Sequence, residues 1–321
     1  MSRLRVGVLR GGMGCEYDVS LKTGGQVLNY LPEQYQPEDI LITKDGTWHH
    51  RGLPLNPTNL PHLVDVVFNC LHGEYGEDGR VQKLLDDLDV FYTGSGHLAS
   101  RLGMNKILAK NVLRQNGLKV AQHLPVQAGD DLAQKAREVF LKFAPPYVVK
   151  PADRGSSVGL FFVPYLEDLA EAIADCLDYS DSVMVEEYIR GREATCGVVA
   201  NFRGEPIYAL LPIEIVRPSG QSVWNYIDKY SGETKELVPG PFSPEHKVEL
   251  ERLARTVHEL LGLRHYSRTD FIVSPRGIYV LEVNTLPGLT AESLLPKSLT
   301  AIGVSYPQFL EHIINLAINR I

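Results

Sequence analysis

The sequence predicts a mixed α/β protein in three parts. A parallel sheet flanked by helices spans residues 1–103, a small α+β unit 104–188 and a larger α+β unit 189–321. Three observations carry this reading. The first hundred residues alternate strand and helix signals, the pattern of a parallel sheet with ligands gathered at its carboxyl ends. Tyr147-Val148-Val149 and Leu160-Phe161-Phe162-Val163 then flank a small-residue turn, reading as a hairpin set between two helices. Finally, Arg268–Val273 and Ile278–Asn284 read as adjacent apolar strands joined by Ser274-Pro275-Arg276-Gly277.

Taken in order, Leu4–Leu9 is a strand, Ser20–Leu31 a helix, and Ile40–Thr43 and Val64–Cys70 strands. Gly79–Leu88 is a helix and Phe91-Tyr92 a last short strand. Ser95–Gln115 is largely helical, with the first boundary near it. Ala133–Phe143 and Glu167–Leu177 are the helices beside the hairpin. Strands follow at Ala194–Ala200, Ile207–Ile213, Tyr266–Val273 and Ile278–Val283. Pro244–Leu261 is a helix because proline opens it, apolar residues recur at Val248, Leu250, Leu253, Val257 and Leu260, and Gly262 stops it. Ser219–Pro241, rich in Gly, Ser and Pro, reads as a long loop of the kind that serves as a lid.

Composition narrows the function classes. A net charge of −7 argues against wide nucleic-acid contact. The four cysteines form no CxxC pair, which points to free thiols in a reducing compartment. The apolar run after Arg3 and Arg5 is too short for a signal peptide, and no run of about 18 apolar residues could span a bilayer. The expectation is a cytoplasmic protein that engages neither membrane nor nucleic acid.

The chemistry sits in the turns and strand ends. In Lys150-Pro151-Ala152-Asp153-Arg154-Gly155-Ser156-Ser157-Val158-Gly159, small residues let backbone N–H groups approach a phosphate, while the hydroxyls and Lys150 add donors and charge. Alone, this segment reads equally as a nucleotide-binding hairpin or as an ordinary Gly/Ser loop. Asp270, Glu282 and Asn284 are hard oxygen ligands near the ends of two strands. Glu282 and Asn284, two apart, share one face, and such a set suits Mg²⁺. Val183–Glu193 reads as a strand running into a turn; Met184, Glu186 and Tyr188 face one way, Val183, Val185 and Glu187 the other.

Several separated motifs together resemble the ATP-grasp ligases, and most closely the D-alanine–D-alanine ligase family. They are Arg10–Ser20, the stretch Leu71-His72-Gly73-Glu74-Tyr75-Gly76-Glu77-Asp78-Gly79, Tyr92–Ser95, the Lys150 segment, Asp228-Lys229-Tyr230 and Glu282–Thr290. The resemblance runs from Val6 to about Ser305. It implies a three-domain fold in which two α+β halves hold ATP, with Mg²⁺ or Mn²⁺, two ions, at Asp270, Glu282 and Asn284. Lys106, Lys150 and Ser157 would bind phosphates, and Lys229 would approach the γ-phosphate or the second substrate's carboxylate.

The remaining roles follow from the same resemblance. Glu186 would accept from the adenine amino group, the backbone at Glu187 and Ile189 would meet the adenine edge, and Glu193 would hold the ribose hydroxyls. Glu16 would hold the first D-alanine's ammonium in a trio with Ser156 and Tyr230. His72 would lie near the first substrate, Arg268 and the Gly288 N–H would stabilise the oxyanion, and Ser293 would take the second carboxylate. Tyr230, rather than phenylalanine, implies an amine acceptor, D-alanine, in place of D-lactate. A homodimer acting in peptidoglycan precursor synthesis is also implied. Asp78 needs no such role, since it reads as the cap of the helix that begins near Gly79.

Overall fold

The computed structural model describes residues 3–155, 158–217 and 234–319. Its first sheet centres on β1 (Leu4–Gly11), which pairs in parallel with β2 (Tyr35–Ile42) and β5 (Val66–Asn69). The sheet order is β4-β3-β2-β1-β5-β6. The edge hairpin of β3 (Trp48–His50) and β4 (Leu53–Pro54) carries no strong pattern and was not expected from sequence; β6 (Phe91–Tyr92) closes the other side. β1 is buried on both faces, Val6 and Val8 in one apolar cluster and Leu9 in another, as a near-continuous apolar run requires in a parallel sheet. Gly7 is packed too tightly for a side chain: a Cβ there would stand 2.8 Å from Val64. Around this sheet lie α1 (Tyr17–Tyr30), the single turn α2 (Leu60–Leu63), α3 (Arg80–Asp87) and α4 (His97–Met104).

The expected helix over 95–115 is two helices. Asn105 takes an extended conformation between them, and its Oδ1 accepts from Leu108 N at 3.0 Å to cap α5 (Lys106–Gln115). Helical periodicity alone cannot register a break whose two arms are both helix-forming.

The second sheet is antiparallel, in the order β7-β10-β8-β9: β7 (His123–Gln127), β8 (Tyr147–Pro151), β9 (Phe161–Val163) and β10 (Ser182–Glu187). Val149, Val183 and Val185 face α6 (Leu132–Lys142) and α7 (Leu169–Leu177) in its core. Lys150, read from sequence as part of the turn, belongs to β8, paired with Met184.

The third sheet runs β14-β13-β11-β15-β16, with β12 (Glu205–Ala209) also on β11 (Arg192–Phe202). Its other strands are β13 (Ile213–Val216), β14 (Lys235–Leu237), β15 (Tyr266–Ser274) and β16 (Gly277–Asn284). β14 corrects the reading of 219–241 as loop throughout: Lys235–Leu237 pairs with Val216–Glu214. The rest of that stretch, 218–233, lies outside the described residues, as do Ser156 and Ser157. α8 (Pro244–Leu260) covers this sheet with Leu250, Leu253 and Val257 of its expected apolar stripe, together with Ala254 and a partly buried Leu260, whereas Val248 of that stripe faces solvent; α5 joins the same core through Ala109 and Leu113.

Two further helices tie the ends together. α9 (Leu294–Ala301) is followed by α10 (Tyr306–Ile318), which starts at a capping box of Ser305 and Gln308. α10 returns to the first sheet, where Phe309, Leu310, Ile313 and Ile314 pack with Val6, Val8 and Phe68. Ile313→Ala should therefore lower the unfolding free energy by about 2–5 kcal/mol in denaturant titration. A loss below about 0.5 kcal/mol would mean that α10 does not hold the first sheet.

Candidate active site

Two clefts meet between the sheets. One is lined by Lys150, Glu186, Glu187, Ile189, Glu193 and Asp270. The other is lined by Glu16, His72, Arg268, Asn284, Gly288 and Ser293. Lys106 and Glu282 line both. Residues separated by as many as 277 positions are thereby brought to one place, among them all of the sequence-predicted residues that the structure describes.

The first cleft owes its charge to strand alternation. Val148, Lys150, Met184 and Glu186 share one face of β8 and β10, because the valines of the other face are held in the core. Glu186 Oε2 lies 2.8 Å from Lys150 Nζ. Its Oε1 lies 2.6 Å from the ammonium of Lys110, which α5 delivers from the opposite side. Burial alone would raise the Glu186 pKa, but the two ammonium groups outweigh it and pull the carboxyl down to about 2. Burial wins over the same attraction at Lys110, whose pKa falls to about 8. At neutral pH all three groups are charged.

Along the same cleft, Glu193 is paired with Arg217 at 3.0 Å. Glu187 N donates to Gln122 O, and its side chain accepts from Gln122 N and Arg276, which leaves the strand-end carbonyl for a ligand edge. Among the described residues no backbone acceptor meets the Ile189 N–H.

At the junction, the register of β15 and β16 sets Asp270 opposite Glu282 and Arg268 opposite Asn284. Arg268 grips Asp270 through two hydrogen bonds of 3.0 Å, and Thr195 Oγ1 donates to Asp270 Oδ1 at 2.6 Å. Asn284 Oδ1 accepts from Leu286 N, and Glu282 Oε2 lies 3.9 Å from Lys106 Nζ. Among the described residues no trio of His, Cys, Asp or Glu forms a ready metal cage. The donor set is instead two carboxylates and an amide, all oxygen, which fits a hard divalent cation that keeps waters or phosphate oxygens in its shell.

In the second cleft, Glu16 stands just before α1 and reaches over Gly73. Gly73 adopts a φ of +63°, which favours glycine, and a Cβ there would push the Glu16 carboxylate from its place. His72 is buried, not solvated as a loop histidine commonly is. Its Nε2 meets Thr23 Oγ1 at 2.9 Å and its Nδ1 lies 3.4 Å from Glu77 Oε1. Burial disfavours the imidazolium, yet the hydrogen bond and charge of Glu77 outweigh it and raise the His72 pKa. Ser293 is at the N-cap of α9, but its Oγ accepts from Thr290 N at 3.1 Å and leaves the helix N-terminus to other acceptors. Asp78 accepts from the N–H groups of Tyr75 and Arg80, the structural role expected for it.

Residues 112–315 match the family model described as D-ala D-ala ligase C-terminus, and residues 53–95 match its N-terminal counterpart. The chain belongs to the D-alanine–D-alanine ligase family. The D-alanine–D-alanine ligase of Desulforudis audaxviator is 39% identical over 322 residues, 98% of this chain and 99% of that protein. The enzyme of Pelotomaculum thermopropionicum is 37% identical over 323 residues, 99% and 98% of the two chains. Among solved structures, the VanG D-Ala:D-Ser ligase from Enterococcus faecalis superposes with a TM-score of 0.88 at 28% identity, covering 98% of this chain and 100% of that one. The D-alanine–D-alanine ligase from Coxiella burnetii superposes at 0.86 and 27%, covering 100% and 95%. This member of the family is thus an ATP-dependent ligase with the ATP-grasp fold.

Four expected site residues of this ligase, Ser156, Ser157, Lys229 and Tyr230, lie outside the described residues. Two others escaped the sequence reading. Lys110 stands one turn after Lys106, a spacing that puts both on one side of α5, and Glu77 sits in the His72–Gly79 motif.

The depressed Glu186 pKa has a consequence for acid stability. A carboxyl with a lowered folded pKa contributes stability above its unfolded value of 4.5 and loses it as pH falls toward the folded value of about 2. The natural protein should therefore lose on the order of 3 kcal/mol of unfolding free energy through this group across that window. Glu186→Gln should show a shallower slope in denaturant titrations between pH 5 and 2. Parallel slopes would remove Glu186 from the account of acid stability.

Proposed function

We propose that this ligase joins two D-alanine molecules, using ATP and releasing ADP and phosphate, and so makes a precursor of peptidoglycan. The observation that carries this is the meeting of the two clefts at Lys106 and Glu282, one bearing groups for a nucleotide and the other for amino acids. A carboxylate is too poor an electrophile for amide formation in water. Transfer of the γ-phosphoryl group to the first D-alanine makes an acyl phosphate. The amine of the second D-alanine then attacks that carbonyl, and phosphate leaves.

The protein's part is positioning and charge neutralisation. Glu186, Glu187 and Ile189 orient the base, and Glu193, once it turns from Arg217, takes the ribose hydroxyls. Lys106 and Lys150 draw the phosphates across the junction, with Ser157 and Lys229 as the remaining phosphate contacts. Glu16, with His72 beside it and Ser156 and Tyr230 completing its set, holds the first ammonium. Arg268 and the Gly288 N–H face the oxyanion, and Ser293 receives the second carboxylate. Asp270, Glu282 and Asn284 would hold Mg²⁺ or Mn²⁺, which when bound supplies charge neutralisation for the transferred phosphoryl group. Residues 1–103, 104–188 and 189–321 serve as the working domains. A cytoplasmic homodimer is the family expectation.

Phosphate release from ATP should require D-alanine and should not occur with L-alanine or D-lactate alone. Mass spectrometry should find D-alanyl-D-alanine at pH 7, including in mixtures with D-lactate or D-serine. A mainly D-lactate or D-serine product would reassign the second subsite. In the same assay with Mg²⁺, Glu282→Gln should lower kcat by about a hundredfold or more while leaving the unfolding midpoint in place. Unchanged turnover in that variant would end the metal assignment.

A further inference from the structure

Lys110 is a charged side chain that the proposed reaction leaves without a task. It is 2% exposed, in the interior between α5 and the second sheet. Fully burying an ammonium is costly unless it is paired, so its retention there calls for a reason. Its ammonium stands 2.6 Å from Glu186 Oε1, an oxygen wholly removed from solvent, and 3.5 Å from the Val280 carbonyl. The other Glu186 oxygen is held by Lys150.

The two lysines differ in what they can do next. Lys150 lines the nucleotide cleft, where a phosphate would compete with Glu186 for it. When Lys150 turns to an anion, Lys110 is the one cation still paired with Glu186 among the described residues. His123, opposite Glu186 on β7, is held toward its neutral form by burial and cannot substitute. A buried carboxylate stripped of cations takes up a proton, and a protonated carboxyl is a poor acceptor for an amine.

We propose that Lys110 is a positioning residue for nucleotide recognition: it keeps Glu186 ionised and aimed at the base while Lys150 is engaged with the phosphates. The proposal rests on the reading of Glu186 as the acceptor for the adenine amino group. Lys110 itself touches neither base nor phosphate, so its effect should track the amino group and not the triphosphate.

The test compares ATP with purine riboside triphosphate, which lacks the 6-amino group, in the full-length enzyme with D-alanine and Mg²⁺. The natural protein should prefer ATP by about tenfold or more in KM, the range for a hydrogen bond to a charged group. In Lys110→Met the preference should collapse toward unity, with KM for ATP raised by a similar factor and kcat changed much less. Loss with both nucleotides alike, the preference intact, would show a structural role only and overturn the proposal. No preference in the natural protein would instead overturn the Glu186 assignment and take this proposal with it.

Should Lys110→Met fail to fold, the pair Glu186→Gln and Lys110→Met/Glu186→Gln gives the same answer. Both should show the same reduced ATP preference, since Lys110 acts only through the carboxylate. A further loss of preference in the double variant would overturn the proposal.

Discussion

A single carboxylate buried between two ammonium groups organises the nucleotide side of this molecule. At 3% exposure Glu186 is held ionised by Lys110 and Lys150, and its carboxylate in turn offsets the burial of both lysines. The three come from different elements, α5, β8 and β10. Their meeting therefore requires α5 to lie across the gap between the second and third sheets. It does so by giving Ala109 and Leu113 to the third sheet's core while Lys110 reaches Glu186 on the second. Packing and electrostatics are satisfied by the same placement of one short helix.

The amino-acid side is built differently. There, close backbone approach joins the charge pairs: Gly73 clears room for Glu16, and the Glu282–Gly288 stretch leaves β16 to run past Arg268 and toward Ser293. His72 and Glu77 form a buried pair in the same cleft, one more titratable couple near Glu16. Among the described residues the clefts share Lys106 and Glu282, which face each other. These two side chains stand 3.9 Å apart, and Lys106 Nζ also donates to the Arg154 carbonyl.

Much of this was legible in the sequence for physical reasons that can be named. The parallel-sheet strands are apolar runs between turns, the helix at Pro244 has its start, stripe and stop written in sequence, and the two strands bearing Asp270 and Glu282 are β-branched and joined by a four-residue turn. The oxygen ligands could be grouped because two of them alternate on one strand. What escaped were features without a local signal: the short β3–β4 edge hairpin, the break at Asn105 between two good helices, and the strand at Lys235–Leu237 within a loop-like composition.

The sequence by itself indicated most of the strands and helices, because periodicity and residue type act within a few positions, and its resemblance to a known family named the candidate site residues. Only the tertiary structure decided that Lys110 joins Glu186, that His72 is buried against Glu77, and that α10 closes on the first sheet. Each of these depends on contacts across sheets or between residues far apart in the chain, or on the exclusion of water. A lysine on a helix reads as solvated until something covers it, and what covers Lys110 is supplied by strands tens to hundreds of residues away.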